Sequence, residues 1–156
     1  MFSKKVINIK LSESWNDCSM QNPDGPLTFI RGISKNPGAL QVSFAIRKGG
    51  QIPNPSYEDL INMAIEVGKG MDFGEIVESF SRDCTFGILG SAVFTSRELA
   101  RSQIWYLSNG EDFILATHIC PEMPESNEVE EAKDIVNNLY ISKKGFWKQL
   151  LKAKRS

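Results

Sequence analysis

One segment, residues 101–120, restricts the possible folds of this chain more than any other. It reads RSQIWYLSNGEDFILATHIC, with two apolar runs around Asn109-Gly110, a dipeptide that favours a tight β-hairpin turn. A two-residue turn there predicts four cross-strand pairs. These are Ile104–Leu115 and Tyr106–Phe113 on one side, and Trp105–Ile114 and Gln103–Ala116 on the other. Because both sides carry large apolar residues, we expect both faces of the sheet to be covered.

The composition indicates one globular domain. The chain has 156 residues, of which 41% are hydrophobic and 24% charged, and no apolar run approaches the ~20 residues of a membrane-spanning helix. The N-terminus alternates apolar residues as a strand does, in place of the apolar segment of a signal peptide, so we expect a cytoplasmic protein. Cys18, Cys84 and Cys120 are odd in number and widely spaced, which favours unpaired thiols in a reducing compartment.

The pattern of apolar residues predicts an α+β domain over residues 1–142. Besides the hairpin, strands are expected at 6–11, 27–33, 39–47, 75–82 and 85–96, and Gly87 and Gly90 predict a bulge or a close backbone approach. Helices are expected near 56–68, capped by Ser56 with Asp59, and near 127–140, capped by Asn127. Strands and helices do not alternate regularly, which favours a central antiparallel sheet of about five to seven strands between helices.

Charge divides the chain into an acidic body and a basic tail. Before Lys143 there are 12 basic and 19 acidic residues, a formal charge of −7, whereas residues 143–156 contain six basic residues and no acidic one. The tail has the periodicity of an amphipathic helix. Its candidate partner-binding residues are Phe146, Trp147, Lys148, Leu150, Leu151 and Lys152.

The tail has several possible roles. It could pack on its own domain, on a second copy of the chain to form a homodimer, on a partner protein, or on a membrane surface. We favour a helix that docks, at least in part, on its own body or on a second copy. Nucleic acid is not an expected partner, because the body is acidic and six charges at one end do not form a groove.

The chain resembles proteins of the PsbP/DcrB-like fold, which share a central antiparallel sheet between helices. The resemblance rests on the element order and on the run from WYLSNGEDFILATHIC into EVEEAKDIVNNL, with further matches at residues 9–15 and 90–94. The helix matches the form E-x-x-E-A-x-x-I-V-x-x-L. Its matching residues are Glu128, Glu131, Ala132, Ile135, Val136 and Leu139.

This resemblance covers about residues 5–142 and implies a protein that binds other proteins. The fold includes periplasmic lipoproteins, photosystem-associated subunits, a Ran-binding protein and bacterial cytoplasmic chaperones for type VI secretion effectors. Because the matching positions are packing positions, the resemblance transfers no functional residue.

Reactive side chains are few. His118 is the only histidine, and the predicted register places it opposite Arg101 at the polar end of the hairpin, where a solvated side chain is expected. We therefore expect no catalytic role, and a cost of about 1 kcal/mol or less for His118→Ala.

The sequence also lacks the spacings of known cofactor and metal sites. It contains no Cys-x-x-Cys pair, Walker pattern or Gly-x-Gly-x-x-Gly motif, so no cofactor and no metal are expected. A run of acidic residues is interpreted as a solvated face, because it lacks the pattern of a calcium-binding loop. These residues are Glu122, Glu125, Glu128, Glu130, Glu131 and Asp134.

Three functions remain open. The first is a non-catalytic protein-binding module, such as a chaperone or adaptor for a secretion effector. The second is an immunity protein whose acidic body neutralises a basic toxin. The third is a small enzyme that uses His118, which would require a deep pocket holding this residue beside a cysteine or a carboxylate.

Overall fold

A computed structural model describes residues 4–143 of the chain. The helices are α1 (Tyr57–Gly70) and α2 (Ser126–Asn137). The strands are β1 (Lys5–Asn8), β2 (Trp15–Asp17), β3 (Leu27–Arg31), β4 (Ala39–Ala45), β5 (Glu75–Cys84), β6 (Gly87–Thr95), β7 (Arg101–Ser108), β8 (Phe113–Cys120) and β9 (Tyr140–Lys143). Neither helix in this part of the chain is long and apolar enough to cross a bilayer.

Seven strands form one sheet in the order β2-β3-β4-β8-β7-β6-β5, with every neighbouring pair antiparallel. This confirms the α+β class and the expected sheet. The first strand was expected to belong to the central antiparallel sheet, but β1 instead pairs with β9 in a separate two-stranded ribbon. The sequence predicted neither β2 nor β9, because strands of three or four residues carry almost no periodic signal.

The predicted hairpin register is wrong by two residues. The observed pairs are Gln103–His118, Ile104–Thr117, Trp105–Ala116, Tyr106–Leu115, Leu107–Ile114 and Ser108–Phe113. The loop comprises residues 109–112, because Asn109 Oδ1 accepts hydrogen bonds from the backbone N–H groups of Glu111 and Asp112. This asparagine turn makes the loop two residues longer than a two-residue hairpin. A shift of two preserves the face of every side chain.

Both faces of the sheet are covered near its middle, as the hairpin predicted. On one side α1 lies against β5, β6 and β7, and its Ala64 packs in a cluster with Phe94 and Ile104. On the other side α2 and the β1–β9 ribbon cover a larger cluster that includes Trp105 and Val136.

The two helices differ in how well the sequence predicted their starts. Ser56 and Asp59 form the expected capping box of α1. The expected Asn127 cap is wrong, because α2 begins one residue earlier and Glu125 occupies the N-cap position without a side-chain capping bond. The carboxylate of Glu125 instead contacts Arg31 of β3, so a tertiary contact takes the place of the local one.

Candidate functional site

Three side chains meet beneath the first turn of α2, and we call them the His118 cluster: His118, Cys120 and Glu128. His118 and Cys120 are two residues apart on β8, so both project toward α2. Each of the three is 0% exposed. His118 Nε2 lies 2.7 Å from Glu128 Oε2, and Cys120 Sγ lies 3.5 Å from Nε2 and 3.7 Å from Nδ1 of His118.

The burial of His118 corrects the expectation of a solvated side chain. The two-residue register shift moves it from Arg101 to a position opposite Gln103, toward the middle of the sheet. There its ring packs 6.4 Å from that of Trp15, between centroids. The prediction that its loss costs about 1 kcal/mol or less therefore no longer stands.

Glu128 is held in the ionised form by hydrogen bonds. Burial acts to raise its pKa, but hydrogen bonds from His118 and from the Gly38 backbone N–H oppose burial, and the net pKa is lowered. Its second oxygen, Oε1, has no hydrogen-bond partner within the described residues. The loop at Gly38 comes so close that a Cβ there would lie 2.5 Å from Cys120 Sγ, which explains why a glycine is needed.

The interpretation of the acidic run as a solvated face is wrong for two of its six members, Glu128 and Glu131. Glu128 is buried, and both Glu125 and Glu131 contact the buried guanidinium of Arg31. Glu131 also accepts a hydrogen bond from Trp15 Nε1 at 3.1 Å. The sequence could not reveal this network, because Arg31 lies 94 and 100 residues away from its two partners. The other four acids are exposed as expected: Glu122, Glu125, Glu130 and Asp134.

The His118 cluster does not fit a metal centre well, although its three ligand atoms lie within 4.8 Å of one another. The sulfur is nearly equidistant from the two ring nitrogens. It therefore lies against the imidazole ring and away from the lone-pair axis of either nitrogen. Burial, followed by the charge of Glu128, raises the pKa of the Cys120 thiol to about 12, whereas metals bind the thiolate.

The same geometry is unsuited to nucleophilic catalysis. A cysteine–histidine–acid triad places sulfur and carboxylate on opposite ring nitrogens, but here both approach Nε2 most closely. The cluster does contain the cysteine and the carboxylate that an enzyme would require beside His118. All three groups are fully buried, so substrate would reach them only if α2 or the Gly38 loop moved.

A second feature, which we call the β1 groove, is open to solvent. It has a volume of about 430 Å³ and lies between β1 and the β3–β4 pair. Its lining residues are Lys4, Lys5, Val6, Ile7, Gly25, Pro26, Leu27, Val42, Ser43 and Phe44. Phe44 is 40% exposed, and an ion pair of 2.7 Å between Lys5 and Asp112 ties β1 to the hairpin loop. Sequence reasoning missed the groove, because three separate segments form it.

The tail residues predicted to bind a partner lie outside the described residues. They are Phe146, Trp147, Lys148, Leu150, Leu151 and Lys152. The described chain ends at Lys143, whose cross-strand neighbour is Lys5 of the β1 groove. The tail therefore starts beside this groove.

Comparison with known proteins identifies the fold but no activity. No family model and no curated protein matches the chain. The solved structures that are similar to it include the following two. One is a protein of Bacteroides thetaiotaomicron VPI-5482, with 18% identity and a TM-score of 0.53 over 93% of this chain and 50% of that one, so the chain spans about half its length.

The other similar structure is the cyanobacterial PsbP (CyanoP) of Synechocystis sp. PCC 6803. It has 9% identity and a TM-score of 0.52 over 91% of this chain and 95% of that one. Identities this low carry no information on activity or partners. The agreement in backbone shape shows that the chain has the PsbP-like fold expected from its sequence.

Proposed function

We propose that this chain is a non-catalytic protein-binding module that holds an apolar segment of a partner protein in the β1 groove. The groove is the observation that carries the proposal. Its walls include the apolar side chains of Val6, Leu27 and Phe44, while Lys4 is exposed at its rim. This lining suits a partner segment with a large apolar side chain flanked by acidic residues. Burial in the groove favours the apolar side chain, and the lysine attracts the acidic residues.

The C-terminal tail supports the same partner chemistry. It begins beside the groove and carries Phe146 and Trp147 within four residues of Lys143. Lys148 and Lys152 add positive charge there. The tail therefore carries the same combination of apolar and basic residues that the groove presents, on a protein whose body is acidic, and we expect it to contribute to binding the partner.

A cytoplasmic chaperone or adaptor for a bacterial secretion effector, of the DcrB-like type, is the specific role that we favour. A chaperone needs an accessible apolar surface and no chemistry. The burial of the His118 cluster favours this role over the enzyme alternative, because that alternative depends on a His118 side chain that substrate can reach. An effector encoded beside the gene for this chain would favour the chaperone role.

An immunity protein is the second candidate, and it is favoured by the charge of the body. The formal charge before Lys143 is −7, and Glu122, Glu130 and Asp134 are exposed around α2. This acidic surface suits a basic toxin. A small toxin gene beside the gene for this chain would favour this role.

The two candidates differ in the variants that abolish binding. The chain is co-expressed with the product of the adjacent gene and purified. If the β1 groove binds the partner, Phe44→Asp should abolish co-purification, and a chain ending at Lys143 should weaken it. Met123→Asp is the matched control, because Met123 is 71% exposed and does not line the groove; it should bind as the wild type does.

The salt dependence provides a second readout. Binding through the tail lysines should weaken as salt screens them over ~10 Å at 0.1 M. Retained binding by Phe44→Asp, together with loss of binding in Glu130→Lys, would overturn the groove proposal and favour the immunity role. Thermal unfolding of each variant establishes that it is folded.

A further inference from the structure

The sheet ends on a long edge strand whose outer side has no pairing partner among residues 4–143. β5 has ten residues and, within residues 4–143, pairs only with β6. By contrast, β2 at the other edge has three residues. Val77 of β5 is 63% exposed and Ile76 is 44% exposed. Edge strands of this length are usually shortened, covered or paired, because their free N–H and C=O groups can bind another strand.

Three side chains of β5 project to the α2 side of the sheet. A bulge between Ile76 and Glu78 interrupts the strand, and the regular part after it places Glu78, Phe80 and Arg82 on that side. They line a recess of about 230 Å³ that Trp105, Lys133 and Asn137 complete. Neither Glu78 nor Arg82 forms a salt bridge with any residue in the described part of the chain.

We propose that two copies of this chain pair through β5, antiparallel, with Phe80 opposite its counterpart. A twofold axis through this pair places Glu78 of each copy opposite Arg82 of the other. Both charges, which form no salt bridge with the described residues, then gain a partner in the same step. The contact is self-complementary, as closed twofold symmetry requires.

Charge selects this register over the neighbouring ones. A shift of two in one direction places Glu78 opposite Phe80, and a shift of two in the other places Glu78 opposite Cys84. A shift of one places Glu78 opposite either Asp83 or Ser81. Like charges in directly opposed positions are unfavourable, and none of these shifted registers pairs Glu78 with Arg82.

The pairing would join the two seven-stranded sheets into one continuous sheet. Both copies of α2 would lie on the same side of it, because opposed residues in a sheet point to the same face. The two recesses would meet at the Phe80 pair, where each phenyl ring covers the other. This interface lies on the opposite edge of the sheet from the β1 groove and does not depend on the proposed function.

Analytical ultracentrifugation of the full chain tests the pairing, in reducing buffer so that Cys84 forms no disulfide. The wild type should show a concentration-dependent dimer. Glu78→Arg and Arg82→Glu should each raise the dissociation constant at least about tenfold, because each places like charges opposite one another twice.

Two combinations distinguish pairing from unfolding. The double variant Glu78→Arg/Arg82→Glu should restore the dimer, since it exchanges the two charges. An equimolar mixture of the two single variants should form a mixed dimer, because one then carries two arginines and the other two glutamates. The proposal would be overturned if neither combination forms a dimer although the proteins are folded. It would also be overturned if the wild type stays monomeric at about 1 mM.

Discussion

At the scale of single residues, the buried pair of His118 and Glu128 is the feature that most changes what the sequence implies. A histidine and a glutamate at 0% exposure must satisfy each other, because water cannot. Their 2.7 Å hydrogen bond connects β8 to the first turn of α2. The pair therefore orients the helix on the sheet. We expect removal of the pair to lower the stability of the folded protein.

We expect His118→Ala to lower the free energy of unfolding by about 3 kcal/mol or more, since it leaves a buried carboxylate without its partner. Urea unfolding provides the measurement. Glu130→Ala, on the exposed side of the same helix, is the control and should cost about 0.5 kcal/mol or less. A cost for His118→Ala as small as that of the control would show that the pair contributes little.

Glu128 also predicts a pH dependence. Its pKa is lowered from 4.5 in the folded state, so at acidic pH the unfolded chain binds more protons than the folded one. Its contribution to stability is complete above pH 4.5 and is lost as the pH falls through the lower, folded value. Unfolding free energies measured from neutral to acidic pH should therefore fall less steeply for Glu128→Gln than for the wild type. Parallel curves would contradict this.

At the scale of elements, the approach of the α1 backbone to the sheet requires a glycine at one position of β6. A Cβ at Gly90 of β6 would lie 2.3 Å from the backbone nitrogen of Ile61 and 2.4 Å from the backbone carbon of Leu60. The close backbone approach expected at this position is thereby confirmed. Because backbone atoms of a helix cannot move individually, any side chain here must displace α1 as a unit.

Gly90→Ala should therefore lower the free energy of unfolding by about 1–3 kcal/mol or more, which is the usual cost of overpacking a core. Gly70→Ala is the matched control, because a Cβ at Gly70 has no neighbour within 4 Å. It lies at the end of α1 and should be neutral or stabilising by up to about 1 kcal/mol. Thermal unfolding of the two variants provides the measurement. Equal melting temperatures would contradict the close packing.

At the scale of the whole molecule, the centre of the sheet and its β5 edge differ in how far other elements cover them. The helices bury both faces of the central strands, while β5 leaves one side of the sheet unpaired in residues 4–143. The β1 groove lies toward the other edge. Two separate surfaces therefore exist for contacts, which is why partner binding and self-association can be tested independently.

The local and periodic features of the fold could be predicted from the sequence alone. The two apolar faces of the hairpin, the Ser56 cap and the antiparallel sheet between helices all follow from contacts within a few residues or from the strand period of two. A register error of two residues left these conclusions intact, since side chains keep their faces. The partner-binding role of the tail stays a prediction.

The roles of the polar residues depend on long-range contacts that the sequence does not reveal. His118 and Glu128 were expected to be solvated, and nothing in the sequence indicated that Arg31 is buried, because the partners of these residues are 10 to 100 residues away. The groove likewise depends on how β1 is placed over β3 and β4 by its pairing with β9. A polar side chain can be buried wherever a distant partner satisfies it, and local sequence carries no record of that partner.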